Sequence, residues 1–385
     1  MAFDYCSRVN RLPPYLFAEI EKAVAAKKQA GADIISLGIG DPDLPPPKFV
    51  LRALAREAKN PKNHNYSLSQ GEPEFREACA KWMKGRFGVD VDPKTQIVAL
   101  MGSKEGLANV ARAFVNPGET VLVPDPAYPV YGQGAATLCD ANPVPFPLLE
   151  QNGYQVEGDK LPSSGARMLY LNYPNNPTGA VAKGGTLESV VEYCDRTGTV
   201  LAYDNAYSEM TFDGYTAPSI LQLTQNALEF HSLSKTFCVT GDRIGFAVGH
   251  PALVDGLRKI KSQIDSGPSV YVQKMAAEAL GSYSGGQRPK EVEKMVREYA
   301  RRRKALVRGL NKIGLKTALP SATFYVWTRI PGGDSISFAK KALDANVVVT
   351  PGAGFGSAGD GFVRFAVTQP RERIMEAVER LAAIV

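Results

Sequence analysis

The chain has 385 residues, 44% hydrophobic and 22% charged. That is enough apolar area to offset chain entropy, and it excludes a collagenous, mucin-like or largely disordered protein. The length exceeds what one core usually fills, so two lobes are expected. The formal net charge of +6 helps to collect anionic substrates but is too small to announce nucleic-acid binding.

In chain order, an amphipathic helix is predicted from about Tyr15 to Ala30, then a short strand from Asp33 to Leu37. A loop rich in Gly and Pro follows through Gly40, Asp41, Pro42 and Pro45 to Pro47, a composition that ends regular structure. Short apolar runs then alternate with helical stretches, as in a parallel sheet covered on both faces. The predicted strands are Ile97–Met101, Thr120–Val123, Ala166–Leu171, Val200–Tyr203, Glu229–Ser232 and Ile244–Val248. The first runs into Gly102-Ser103-Lys104-Glu105-Gly106, after which Leu107, Val110, Ala111 and Phe114 recur at helical spacing. A strand, a tight glycine turn and a helix start therefore coincide. Met295, Tyr299, Leu306, Leu310 and Ile313 predict a long helix, and the basic run Arg301 to Lys304 on it reads as a solvated face. Strands at Phe324–Thr328, Val347–Thr350 and Phe362–Ala366 and a final helix from Pro370 complete a smaller α/β lobe. Gly352-Ala-Gly354-Phe-Gly356 reads as a turn there, because Pro351 interrupts the strand-to-turn step that a dinucleotide site needs.

Cys6, Cys79, Cys139, Cys194 and Cys238 form no Cys-x-x-Cys pair, so no disulfide framework is expected, and Cys194 and Cys238 are read as buried structural thiols. His64, His231 and His250 show no metal-ligand spacing, and no metal is expected. No apolar run reaches membrane-spanning length, and Met1 to Leu12 lacks the apolar core of a signal peptide. A cytoplasmic location is expected.

The chemistry concentrates in His231-Ser-Leu-Ser-Lys235, followed by Gly241-Asp242-Arg243-Ile-Gly245. A lysine that must act as a nucleophile is helped by a nearby cation or partial desolvation, and an arginine between glycines can grip a phosphate closely. Alone, this segment would read as a surface Lys and Arg on a loop. Tyr173-Pro-Asn175-Asn176-Pro177-Thr-Gly179 and Leu201-Ala-Tyr203-Asp204-Asn-Ala-Tyr207 each follow or end a strand. Ligands bind beyond the carboxyl ends of strands in open α/β sheets, so these segments converge on one crevice. An acid there can keep a pyridine nitrogen protonated, while Asn and Tyr bond a phenolic oxygen.

In this order, the four segments resemble the fold type I pyridoxal-phosphate aminotransferases over essentially the whole chain. Leu12-Pro-Pro-Tyr15, Gly38-Ile-Gly40-Asp41-Pro-Asp43, Pro124-Asp-Pro-Ala-Tyr128-Pro and Ala322-Thr-Phe-Tyr-Val-Trp327 are similar to the LL-diaminopimelate aminotransferases in particular. The resemblance implies a large pyridoxal-phosphate domain at 46–285, with a mainly parallel seven-stranded sheet between helices. It implies a smaller α/β domain from 1–45 and 286–385. It makes Lys235 the lysine that binds pyridoxal 5'-phosphate covalently and Asp204 the partner of the ring nitrogen, with Asn176 and Tyr207 on the ring oxygen. Ser232, Arg243 and the amides of Ser103 and Lys104 would hold the phosphate at a helix start. Tyr128 would stack on the ring, and Tyr66 would reach the phosphate of a neighbouring subunit in a homodimer.

For the substrate, the resemblance implies Arg364 as the clamp on the α-carboxylate. Its alternative, a strand arginine facing solvent, is countered by the flanking Phe362, Val363, Phe365 and Ala366. Gly40 and Asn176 would add contacts to the substrate, and Tyr15 and Lys104 would reach its distal end. Asp242 stands where many relatives have a bulky aromatic, and must point away from the phosphate or pair with Arg243. The implied activity is transfer of an amino group from an amino acid to 2-oxoglutarate, in lysine biosynthesis for LL-diaminopimelate. Alanine, aspartate, methionine or aromatic donors remain open, as do a carbon-sulfur lyase and a cyclopropane-forming synthase. A cofactor-sensing regulator is disfavoured, because no amino-terminal DNA-binding module accompanies the complete catalytic set.

Overall fold

A computed structural model describes residues 3–13 and 16–385, with the backbone alone for 16–21. Its strands are β1 (Ile35–Ser36), β2 (Ile97–Leu100), β3 (Thr120–Asp125), β4 (Asn142–Pro147), β5 (Met168–Asn172), β6 (Val200–Asp204), β7 (Ala227–Ser232) and β8 (Gly245–Gly249), then β9 (Tyr325–Arg329), β10 (Val347–Val348), β11 (Thr350–Pro351) and β12 (Phe362–Ala366). Seven of them form one sheet in the order β2-β8-β7-β6-β5-β3-β4. Only β8 opposes its neighbours.

Both faces of this sheet are buried. Leu169, Leu171, Leu201 and Tyr203 enter one apolar cluster, whereas Met168, Tyr170, Ala202 and Leu228 enter the other. Strand side chains alternate between faces, so helices must cover both, which explains the near-continuous apolar runs of β5 and β6. The helix Leu16–Gln29, the strands β9 and β12 and the helix Arg371–Leu381 fall where the sequence places them, within a few residues. β1 pairs in parallel with β10, and β12 pairs with β9 and β11.

Two expectations needed correction. The seventh strand of the large sheet, β4, had no predicted counterpart, because its sequence carries Pro143, Pro145 and Pro147 and reads as a breaker. Proline is tolerated on this strand because β4 is the sheet edge, where one row of N–H groups has no partner strand to serve.

The basic run on the long helix Lys290–Lys312 is not a solvated face. Helical periodicity splits it: Arg301 and Lys304 face out, whereas Arg302 and Arg303 are buried. Arg302 donates to Asp43 at 2.8 and 2.9 Å and to Glu298 at 2.9 Å, and Arg303 bonds Asp213 and the Pro320 carbonyl. These partners offset the desolvation that burying two guanidinium groups costs. The Gly352–Phe355 stretch is a 3-10 turn, as the sequence predicts.

Arg303→Met should therefore lower the unfolding free energy by about 2 kcal/mol, the usual loss for hydrogen bonds to a charged group. Arg301→Met should change it by less than about 0.5 kcal/mol. Denaturant unfolding of the two variants side by side measures both.

Candidate active site

A cavity of about 330 Å³ opens where β2, β5, β6 and β7 end. Gly40, Ser103, Lys104, Tyr128, Asn176, Asp204, Tyr207, Ser232, Lys235, Arg243 and Arg364 all line it. The parallel strands β5 and β6 are in register at Asn172 and Asp204, so their carboxyl ends deliver side chains to the same level.

One end of the cavity is built for an anion. Gly102, with φ of +79°, caps the helix Ser103–Phe114, whose first-turn amides have no intrahelical acceptor. Arg243 adopts the left-handed backbone at φ of +54°, a conformation that costs a non-glycine residue about 1 kcal/mol or more. It brings the guanidinium against Gly102, where a Cβ would stand 2.5 Å from Nη2. Arg243 donates to the carbonyls of Thr240 at 2.8 Å and Met101 at 3.2 Å. Asp242 is not among its partners and does not line the cavity. Burial, with Arg243 nearby, lowers the pKa of Lys104. Ser232 caps the short helix Leu233–Thr236 that carries Lys235, accepting from the Ser234 amide at 3.3 Å.

Asp204 lines the same cavity and is 4% exposed. Its carboxylate accepts from the Tyr131 hydroxyl at 2.7 Å and the Ala206 amide at 3.2 Å. Burial nevertheless pushes its pKa up from 3.8 to about 6, against the opposing pull of those two bonds and of His231. Among the described residues no cation pairs with it. A protonated ring nitrogen would satisfy a carboxylate held in this way. Lys235 lines the same cavity, and its Nζ donates to the Gly40 carbonyl at 3.0 Å.

Arg364, in the centre of β12, is 3% exposed, so the solvent-facing alternative falls. It donates to Asn176 Oδ1 at 2.7 Å and to the Gly38 carbonyl at 2.8 Å. The rings of Tyr325 and Phe355 lie 4.1 and 4.8 Å from its Cζ. The bond to Oδ1 fixes the Asn176 amide, leaving Nδ2 as the donor side. The Tyr207 and Tyr325 hydroxyls are 3.0 Å apart. A Cβ at Gly40 would overlap the Tyr325 hydroxyl, so the backbone can approach there only as glycine.

Tyr66 does not reach this cavity and is 92% exposed. Tyr15 lies outside the described residues. Sequence reading missed Tyr131 and Tyr325. Tyr131 opens a π-helical turn, Val130–Ala136, a local form that often marks functional sites but has no sequence signature. Tyr325 lies within Ala322-Thr-Phe-Tyr-Val-Trp327, where nothing in the sequence distinguishes it from its aromatic neighbours.

The sequence model for class I and II aminotransferases matches residues 32–381. The chain belongs to the class I and II aminotransferases. The LL-diaminopimelate aminotransferase of Desulforudis audaxviator is 44% identical over 389 residues, which cover 99% of this chain and 98% of that protein. Among solved structures, substrate-bound BacF from Bacillus subtilis has a TM-score of 0.93 at 33% identity, covering 100% of this chain and 98% of that one. A probable N-succinyldiaminopimelate aminotransferase from Thermus thermophilus has a TM-score of 0.89 at 35% identity, covering 96% and 100%. The aminotransferase thus has the fold type I architecture that its motifs imply.

Because the fold holds the Asp204 pKa at about 6 rather than 3.8, it favours the protonated form. That contribution to stability is complete below pH 3.8 and is lost as pH rises through 6. In the ligand-free aminotransferase, the stability of the wild type relative to Asp204→Asn should fall by about 2 kcal/mol between pH 4 and pH 7. Parallel unfolding curves at the two pH values would contradict this assignment.

Proposed function

We propose that this aminotransferase works with pyridoxal 5'-phosphate, taking the amino group of LL-diaminopimelate and passing it to 2-oxoglutarate. The carrying observation is that Lys235, a buried Asp204 with no ion-pair partner among the described residues, and the Arg243 anion cradle all line one cavity. The name shared by full-length relatives at 41–44% identity supports the donor.

When bound, pyridoxal 5'-phosphate supplies an aldehyde to take up the amino group and a ring that withdraws electrons. The amides at the start of the helix Ser103–Phe114, the Ser232 hydroxyl and the Arg243 guanidinium hold its phosphate. Asp204 keeps the ring nitrogen protonated, and Tyr131 keeps that carboxylate in place. Asn176 Nδ2 and the Tyr207 hydroxyl would donate to the ring oxygen, and Tyr128 would pack on the ring. Arg364 grips the substrate α-carboxylate with two parallel bonds. Gly40 adds a backbone contact there, and Lys104 faces the distal end of the donor.

Lys235 has two roles. It would anchor the cofactor, and its free amine would be the base that moves the proton from the substrate α-carbon. That amine must leave the Gly40 carbonyl to do so. The exposed Tyr66 reaches the phosphate of a second copy, so the working unit is a homodimer in the cytoplasm.

Lys235→Ala should abolish turnover and the visible absorption of the lysine-bound cofactor; an unchanged spectrum would remove Lys235 from this role. A half-reaction panel tests the donor. LL-diaminopimelate should convert the aldehyde form fastest among alanine, aspartate, methionine, aromatic amino acids and N-succinyl-diaminopimelate. No conversion with LL-diaminopimelate would refute the donor while leaving amino transfer standing. Arg364→Ala should raise KM for the donor about 10- to 100-fold, the loss expected for charge-assisted bonds.

A further inference from the structure

Asp125 ends β3, three residues before Tyr128, and has no part in the chemistry described above. Its carboxylate is 8% exposed and is spent on one segment, the turn that follows β11. Oδ2 accepts from the Ser357 hydroxyl at 2.7 Å and Oδ1 from the Ala358 amide at 3.1 Å. A third bond joins the same two segments in the opposite direction, from the Ala127 amide to the Phe355 carbonyl at 2.8 Å. Between these contacts lies Gly356, at φ of +129°, where a Cβ would overlap Asp125 Oδ1. Both the backbone conformation and the close approach therefore require glycine.

The fastened turn carries Phe355, whose ring lies 4.8 Å from the Arg364 Cζ. The same ring meets Trp327 edge-on at 5.9 Å. The position of the Phe355 side of the guanidinium is thus set by a carboxylate on another strand.

We propose that Asp125 is a positioning residue for substrate recognition. It bolts the 352–359 turn to the end of β3 and so holds Phe355 against Arg364 in the orientation that receives the substrate carboxylate. This rests on the reading of Arg364 as the carboxylate clamp. Donor and oxo acid present the same carboxylate, so Asp125 serves both half-reactions, and the cofactor cradle does not depend on it.

The test is steady-state kinetics of the cofactor-loaded enzyme. Asp125→Ala should raise KM for donor and for oxo acid together by about 10-fold or more, since misplacing a clamp by about 1 Å costs up to about 100-fold. The change in kcat should stay within about threefold, with cofactor retention unchanged. Asp125→Asn keeps an acceptor for the Ala358 amide and should restore most of the loss, whereas Phe355→Leu should reproduce it. In an Arg364→Ala background, Asp125→Ala should add nothing, because residues acting through one group are not additive.

A full additional loss in that background, or a fall in kcat at unchanged KM, would overturn the proposal. If Arg364→Ala itself leaves KM unchanged, the clamp reading is what fails. Should Asp125→Ala not fold, Phe355→Leu and Ser357→Ala decide, and unchanged KM in both would sink the role.

Discussion

A buried carboxylate with no ion-pair partner among the described residues organises this site. Asp204 is carried to the buried end of β6, where its ionised form is penalised enough to hold its pKa near 6 despite two hydrogen bonds. A fold retains such a group only where something else offsets the penalty. A protonated ring nitrogen is a counter-charge that would fit, and the anion cradle in the same cavity would fix a phosphate attached to that ring. Lys235 stands within the same space. The helix that carries it is only Leu233–Thr236, so its position is set by the Ser232 cap and by the antiparallel β7–β8 pair rather than by helix propensity.

The cradle itself is held by local strain that the surroundings compensate. Arg243 takes a left-handed backbone, and Gly102 gives up a side chain so that the guanidinium can reach the helix start. Gly245, across the sheet, has no room for a Cβ beside the His231 carbonyl and the Ser103 amide. These three positions agree with one another, and each is costly without the other two. Such agreement at one spot is what a phosphate-sized anion selects.

Much of this was legible in the sequence, for physical reasons that differ by element. The parallel strands were visible because strands buried on both faces are uninterrupted apolar runs, and the helix start at Ser103 because the glycine turn precedes helical periodicity. The chemistry-bearing residues lay in short motifs at strand ends, where the chain order of the motifs carried more information than any one of them. The edge strand β4 was hidden because alternating prolines obey the edge rule rather than the strand propensity. Arg302 and Arg303 were misjudged because charge runs were read along the sequence, whereas burial follows the helical turn. Their partners, Asp43 and Asp213, are far away in the chain. Tyr131 and Tyr325 carry no local sequence signature for their contacts. Each acts through a hydroxyl whose partner is at least 73 residues distant.

Long-range bonding would also keep the substrate side in place if Lys235 changes partners as proposed. The loop from Gly38 to Asp43 forms one wall of the cavity and receives bonds from several elements. Thr350 and Arg364 donate to the Gly38 carbonyl, Thr368 to that of Ile39, Thr240 to the Asp41 carboxylate and Arg302 to that of Asp43. The Lys235 bond to the Gly40 carbonyl is one more, and the only one in this set made by the residue that must leave. Five bonds therefore persist when it breaks, so the amine can exchange the carbonyl for other partners without releasing the wall. The buried Arg302 is central to that tolerance, since it ties the far end of the loop to a 23-residue helix rather than to another loop.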